Sequence, residues 1–169
     1  MAVEVRVATP GDYPEAGRIA VDAYRKHGHL GDADGPASFY AEQLADAASR
    51  AADGTLLVAV DPETGDVLGT VAYLEHGSPM AEMSAPGEAE FRMLAVDPRA
   101  ERRGVGKALV NACVERARAN GRTAVAICSR DDVAVGAMRL YERLGFVRTP
   151  EKDWEPVAGI SLIGWRIEV

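Results

Sequence analysis

Two cysteines, Cys113 and Cys128, in 169 residues leave no disulfide framework, and the absence of a CxxC pair argues against a structural zinc. Histidine is scarce as well, with three in the chain. His27 and His29 lie close to Asp32 and Asp34, but that group falls short of a convincing four-ligand set, so no metal is expected. No apolar run approaches the roughly 18 residues a membrane helix needs. The opening Met1-Ala2-Val3-Glu4-Val5 lacks the basic-then-apolar layout of a signal peptide. Basic charge is in deficit: the net charge is −7, which argues against a duplex nucleic-acid partner. These absences predict a cytoplasmic enzyme or binding protein. Hydrophobic residues at 47% and charged residues at 27% suit one globular unit with a real core.

The charge that is present is segregated. Residues 1–98 hold 6 Lys/Arg against 17 Asp/Glu, and residues 99–169 hold 13 against 9, netting −11 and +4. An acidic half joined to a basic half suits a protein that meets a cation on one side and an anion on the other, although uneven scatter over a solvated surface gives the same count.

Periodicity supplies the elements. Val3, Val5 and Val7 alternate with charges and predict an opening strand. Thr9-Pro10-Gly11-Asp12 is a helix start, with Ile19, Ala20, Ala23 and Tyr24 as the apolar face. His27 to Pro36 is a loop. A second helix is predicted over 38–52 from Tyr40, Leu44, Ala47 and Ala51. Strands follow at 55–60 and 67–74, joined by an Asp-Pro-Glu-Thr-Gly-Asp turn. Residues 75–88, rich in Gly and Pro, form a long loop of the kind that often carries function. A strand over 90–96, a helix from 105 to 120, a strand over 123–129, a helix over 134–144 and late strand material at 146–147 and 160–169 complete the chain. Trp154 and Trp165 are expected to pack late in the sheet, and Asp153 to Pro156 to border a substrate pocket. The order predicts an α+β single domain over residues 1–169, with a mixed, mostly antiparallel sheet of 6–7 strands flanked by about four helices.

The chemistry concentrates in Leu94-Ala95-Val96-Asp97-Pro98-Arg99-Ala100-Glu101-Arg102-Arg103-Gly104-Val105-Gly106-Lys107. A strand gives way to a basic loop and then to a glycine-opened helix. The first helical turn has N–H groups without internal partners, and its dipole favours negative charge. Gly104 and Gly106 carry no side chain to keep a phosphate from the backbone. The spacing is neither GxxxxGK[ST] nor GxGxxG, so it is not a mononucleotide P-loop or a dinucleotide fingerprint.

This stretch resembles the cofactor loop of the GNAT superfamily of acetyl-CoA-dependent N-acetyltransferases, with Arg103-Gly104-Val105-Gly106 matching its Gly-x-Gly core. A second resemblance lies in Ala137-Met138-Arg139-Leu140-Tyr141-Glu142-Arg143-Leu144-Gly145-Phe146, and the element order fits that family from end to end. Two positions depart from its pattern: Glu101 stands where Arg or Gln is usual, and Ala134 where Asn is frequent. The resemblance implies a GNAT-like fold that binds acetyl-CoA as acyl donor. Arg102, Arg103, Gly104, Val105, Gly106 and Lys107 would hold the pyrophosphate. Leu94, Ala95 and Val96 would lie on a splayed strand whose backbone pairs with the pantetheine arm and holds the oxyanion. Tyr141 would protonate the leaving thiolate.

The acceptor amine must be neutral to attack. With a pKa near ~10, about one in a thousand alkyl amines is neutral at pH 7, so a base is expected. Glu90, at the start of the splayed strand, is the first candidate, ahead of Glu88 and Glu75. Cys128 as an acyl-carrying nucleophile lacks a visible base. The acidic first half favours a small cationic acceptor, and a homodimer is possible for the fold. Two other readings stay open: a non-catalytic acyl-CoA-binding module, and an acetyltransferase acting on peptide N-termini or lysines.

Overall fold

The computed structural model describes residues 2–32, 34–35 and 37–169. The predicted loop from His27 to Pro36 therefore lies partly outside the described residues. Strand β1 (Glu4–Val7) leads through a short 3-10 turn into α1 (Tyr13–Lys26). The turn is fixed by Asp12, whose carboxylate accepts from the Thr9 backbone N–H at 2.8 Å and from Arg6 at 2.7 Å. Helix α1 buries Ala16, Ile19, Ala20 and Ala23 on the face their spacing predicts. Gly17 sits where any Cβ would come within 2.3 Å of the Ala45 carbonyl oxygen, so glycine lets α1 close onto the next helix.

The helix predicted over 38–52 is two helices, α2 (Tyr40–Ala45) and α3 (Ala47–Asp53). Asp46 breaks the run: its backbone leaves helical space at ψ 72°, and its side chain accepts from the Ser49 N–H at 3.1 Å to cap α3. Strands β2 (Thr55–Val60), β3 (Val67–Glu75) and β4 (Glu88–Val96) form an antiparallel meander. Helix α4 (Val105–Ala119), β5 (Ala124–Arg130), α5 (Val135–Arg143), β6 (Val147–Arg148), β7 (Trp154–Val157) and β8 (Ile160–Glu168) follow.

The strands form one eight-stranded sheet in the order β1-β2-β3-β4-β5-β8-β6, with β7 also paired to β8. The prediction of 6–7 strands missed β7, and the count of about four helices missed the break at Asp46. Helices α4 and α5 cover one face, where Val105, Leu109, Val110, Cys113 and Tyr141 pack on Leu57, Val71, Tyr73 and Phe91. Helices α1 to α3 cover the other, against Leu56, Val58, Met93 and Ala95. Each fully buried Leu or Ile contributes about 1.5–3 kcal/mol to holding these layers together. No helix among the described residues is long and apolar enough to cross a membrane.

One junction in the sheet differs from the rest. β4 and β5 run parallel and pair only at Glu88↔Ala124 and Ala89↔Val125. Past that point the strands part, while β5 stays paired to β8 along its whole length. β4 also carries a bulge. Thr70 faces Ala95 and Ala72 faces Arg92, so Met93 and Leu94 together oppose Val71, and Met93 takes a φ of 55°. A bulge bends its strand and increases its twist, which turns the second half of β4 away from β5.

Candidate active site

The parting of β4 and β5 opens a cavity of about 760 Å³, within the range of small-molecule sites. Its walls are β4 from Phe91 to Val96, the end of β5 from Cys128 to Arg130, the start of α4, the inner face of α5, and α1 with the loop after it. Among the described residues the β5-facing edge of β4 has no strand partner beyond Ala89. Leu94, Ala95 and Val96 therefore line the cavity where the sequence predicted them.

At one end stands the loop before α4. Arg102 and Gly104 both adopt positive φ, 65° and 78°, so the chain turns twice before the helix begins at Val105. A Cβ on Gly104 would touch nothing within 4 Å; backbone conformation, not crowding, calls for glycine there. Arg102, Gly104, Val105, Gly106 and Lys107 line the cavity. Among the described residues neither Arg102 nor Lys107 is engaged in an ion pair. Arg103 is the exception to the predicted set. Its Nη2 lies 3.1 Å from Asp61 Oδ2 in the β2–β3 turn, and it is not part of the cavity wall. Glu101, the acid in the loop, is drawn to the end of α1, accepting from Lys26 Nζ at 3.0 Å and pairing with His27 Nε2 at 3.0 Å. Those contacts, the Lys26 hydrogen bond first, hold its carboxyl below the usual range and hold its charge toward α1.

Tyr141 lines the cavity from α5. Its ring packs edge-on to Phe91 at 5.9 Å and to Trp165 at 6.2 Å, so the predicted apolar-face packing and a hydroxyl in the cleft coexist. Burial pushes its phenol well above the ordinary value, and the group keeps its proton. Cys128 also lines the wall, but burial pushes its thiol up to about 12, which leaves no thiolate to act as a nucleophile at neutral pH.

The expectation for Glu90 is corrected by its surroundings. Its side chain is fully buried and accepts from the backbone N–H groups of Glu82, Met83 and Ser84 at 2.8–3.1 Å. It pins the 76–87 loop and does not face the cavity. Glu88 is likewise engaged, with the Ala85 N–H and Arg166. Glu75 is bound to Asn120 and Arg122.

Besides Glu101, the carboxylate on the cavity wall is Glu82, carried by the loop that Glu90 pins. Burial raises its pKa above the ordinary value, partly offset by Arg92, whose Nη1 lies 3.3 Å away. Tyr24, Tyr40 and His29 complete this end. Sequence reasoning missed Glu82, Arg92, Tyr24 and Tyr40 as site residues. The only available signal for Glu82 was the length of the Gly/Pro-rich loop that holds it. Glu82 also borders a second, smaller groove of about 300 Å³ with Met83, Lys152 and Trp154. Trp165 is buried, with its indole N–H 3.0 Å from Ser129 Oγ. Trp154 lies late in the sheet as predicted, in β7 opposite Leu162 of β8, but its side chain is 40% exposed.

Comparison with known proteins bears on this arrangement. No curated protein sequence matches the chain at a significant level. Solved structures match it over nearly all of its length, and at these identities they speak to the fold. The ribosomal-protein-alanine N-acetyltransferase of Brucella melitensis aligns with a TM-score of 0.70 at 19% identity, over 98% of this chain and 99% of that one. yncA of Salmonella typhimurium, solved with its cofactor acetyl-CoA, gives 0.66 at 19% identity, over 99% and 94%. The PaiA N-acetyltransferase of Thermoplasma acidophilum, solved with coenzyme A, gives 0.72 at 13% identity, over 97% and 98%. The sequence pattern of the acetyltransferase (GNAT) family matches residues 16–146, a span that takes in the split sheet, the glycine-opened helix and Tyr141; the chain belongs to that family.

Proposed function

We propose that the chain transfers an acetyl group from acetyl-CoA to the primary amine of a small molecule, by direct attack in a ternary complex. The observation that carries this reading is the cavity between β4 and β5, whose one wall brings together a phosphate-suited loop, Tyr141 and Glu82. The residues present fit the donor. Gly104 leaves open space before the first turn of α4, where a pyrophosphate can approach the backbone, while Gly106 lets that turn pack closely against Leu140. Arg102 and Lys107 offer charge not engaged in an ion pair among the described residues. The unpaired edge of β4 offers backbone groups to an extended arm. When bound, acetyl-CoA supplies the activated acetyl thioester.

The chain's own groups do the rest. Glu82 takes the proton from the incoming ammonium; a carboxylate with a raised pKa is better matched to operating pH than an ordinary one. N–H groups on the free edge of β4 stabilise negative charge on the carbonyl oxygen as the amine adds. Tyr141 Oη holds a proton for the departing sulfur, and burial keeps that proton in place until it is needed. Tyr24, Tyr40 and Phe91 narrow the acceptor end, which favours a small acceptor over a chain.

Thermal unfolding with acetyl-CoA, against ATP and NAD as controls, tests the donor. A ligand at a hundred times its Kd adds about 2.7 kcal/mol, so acetyl-CoA alone is expected to raise Tm. Free-thiol release with an amine panel tests turnover. Glu82→Gln and Tyr141→Phe are each expected to lower kcat about a hundredfold or more while the acetyl-CoA shift persists. An undiminished kcat would remove that residue from the mechanism.

A further inference from the structure

The acceptor end of the cavity holds a cation, Arg92, beside the Glu82 carboxylate. Arg92 projects there from β4 with its side chain only 17% exposed. A guanidinium has five N–H donors and is costly to bury unless they are met. Its Nη1 donates to the Met80 carbonyl oxygen at 3.0 Å. The remaining acceptors are distant for a charged donor: Glu82 Oε1 lies at 3.3 Å and Tyr40 Oη at 3.4 Å, where charge-assisted bonds run about 2.7–2.9 Å. Among the described residues Glu82 is its only ion-pair partner. If Glu82 takes the amine's proton, Arg92 loses that counter-charge at the moment of reaction.

Resting on the acetyltransferase reading above, we propose that the acceptor is an amino acid, whose carboxylate is held by Arg92 while its amine lies against Glu82. The spacing supports this. A cationic and an anionic group 3.3 Å apart suit a ligand whose own amine and carboxylate lie close together, separated by one or two carbons. A planar carboxylate also suits the guanidinium fork, which binds it through two parallel hydrogen bonds. Such a zwitterion has no net charge, so the acidic first half of the chain neither repels it nor concentrates it.

The test compares each of the twenty standard L-amino acids with its carboxamide and its decarboxylated amine, reading thiol release from acetyl-CoA. At least one acid is expected to exceed both analogues in kcat/KM by about tenfold or more, the scale of a charge-assisted pair. Arg92→Met is expected to bring that ratio close to one, mainly through KM, and Arg92→Lys to keep part of it. Analogues equal to or better than every acid, or a preference that survives Arg92→Met, would overturn the proposal. Should Arg92→Met fold poorly, the wild-type ratio decides alone. The acetyl-CoA thermal shift separates the two levels. A shift without turnover of any acid sinks the amino-acid proposal only, whereas no shift removes the acetyltransferase reading with it.

Discussion

Glu82 and Glu90 show how burial divides the work of two like side chains. Glu90 meets three backbone N–H groups and has no lone pair turned toward substrate. Glu82 faces the cavity with one long contact to Arg92. Glu90→Gln puts an amide NH₂ among those donors and removes charge-assisted bonds, so a loss of about 3 kcal/mol in stability is expected by urea titration. The low-pH limb of kcat should keep its position in that variant if, as proposed, the titrating base is Glu82. Loss of the limb would return the base to Glu90. His29 offers a stability readout in the same region. Burial, with Arg130 and His27 adding to it, lowers its pKa to about 4 from 6.5. Between pH 6.5 and about 4 the unfolded chain binds a proton that the folded chain refuses, so its contribution to stability is complete above pH 6.5 and is lost as pH falls through this window. Urea midpoints measured from pH 7 to 5 are expected to fall in the wild type and to fall less in His29→Gln.

Legibility at the scale of the element depends on how local the cause is. The apolar faces of α1, α4 and α5 could be read because a 3.6-residue period is written in neighbouring side chains. The opening of α4 could be read because Gly104 and Gly106 are local signals for a backbone that turns and lies open. The break between α2 and α3 is also local, but Tyr40, Leu44, Ala47 and Ala51 keep helical spacing across it. Only the cap from Asp46 to Ser49 reveals that the chain restarts. Glu82 and Arg92 were not legible as a pair, since they meet only because Glu90 pins the loop beside β4. Arg103 stood in the right loop, yet Asp61, from a turn distant in sequence, draws it aside. At Gly104 the local argument makes a direct prediction. Gly104→Ala meets no clash but must adopt a φ of 78°, a strain of about 1–2 kcal/mol for an L-residue. A matching drop in stability is expected by urea titration, together with weaker acetyl-CoA binding by calorimetry. Unchanged affinity would show that the turn before α4 does not form the phosphate site.

Across the whole molecule, the functional feature is a sheet that fails to close in one place. Among the described residues six of its seven strand pairings are antiparallel. The seventh, β4 with β5, begins as a parallel ladder and stops after two residue pairs. Backbone groups removed from water normally find partners, so an unpaired strand edge beside an apolar wall of Phe91, Leu140 and Tyr141 is a cost that the fold sustains around a ligand. The sheet is anchored on both sides of the gap, by β3 along β4 and by β8 along β5, so the opening does not depend on movement of either strand. A ligand that adds a missing partner to that edge should change amide exchange there and little elsewhere. Hydrogen exchange is expected to slow on acetyl-CoA binding at Leu94 to Val96 and in the first turn of α4, while β1 to β3 keep their rates. Protection spread evenly over the sheet would instead indicate global stabilisation by a ligand bound elsewhere, and the split would lose its place as the donor site.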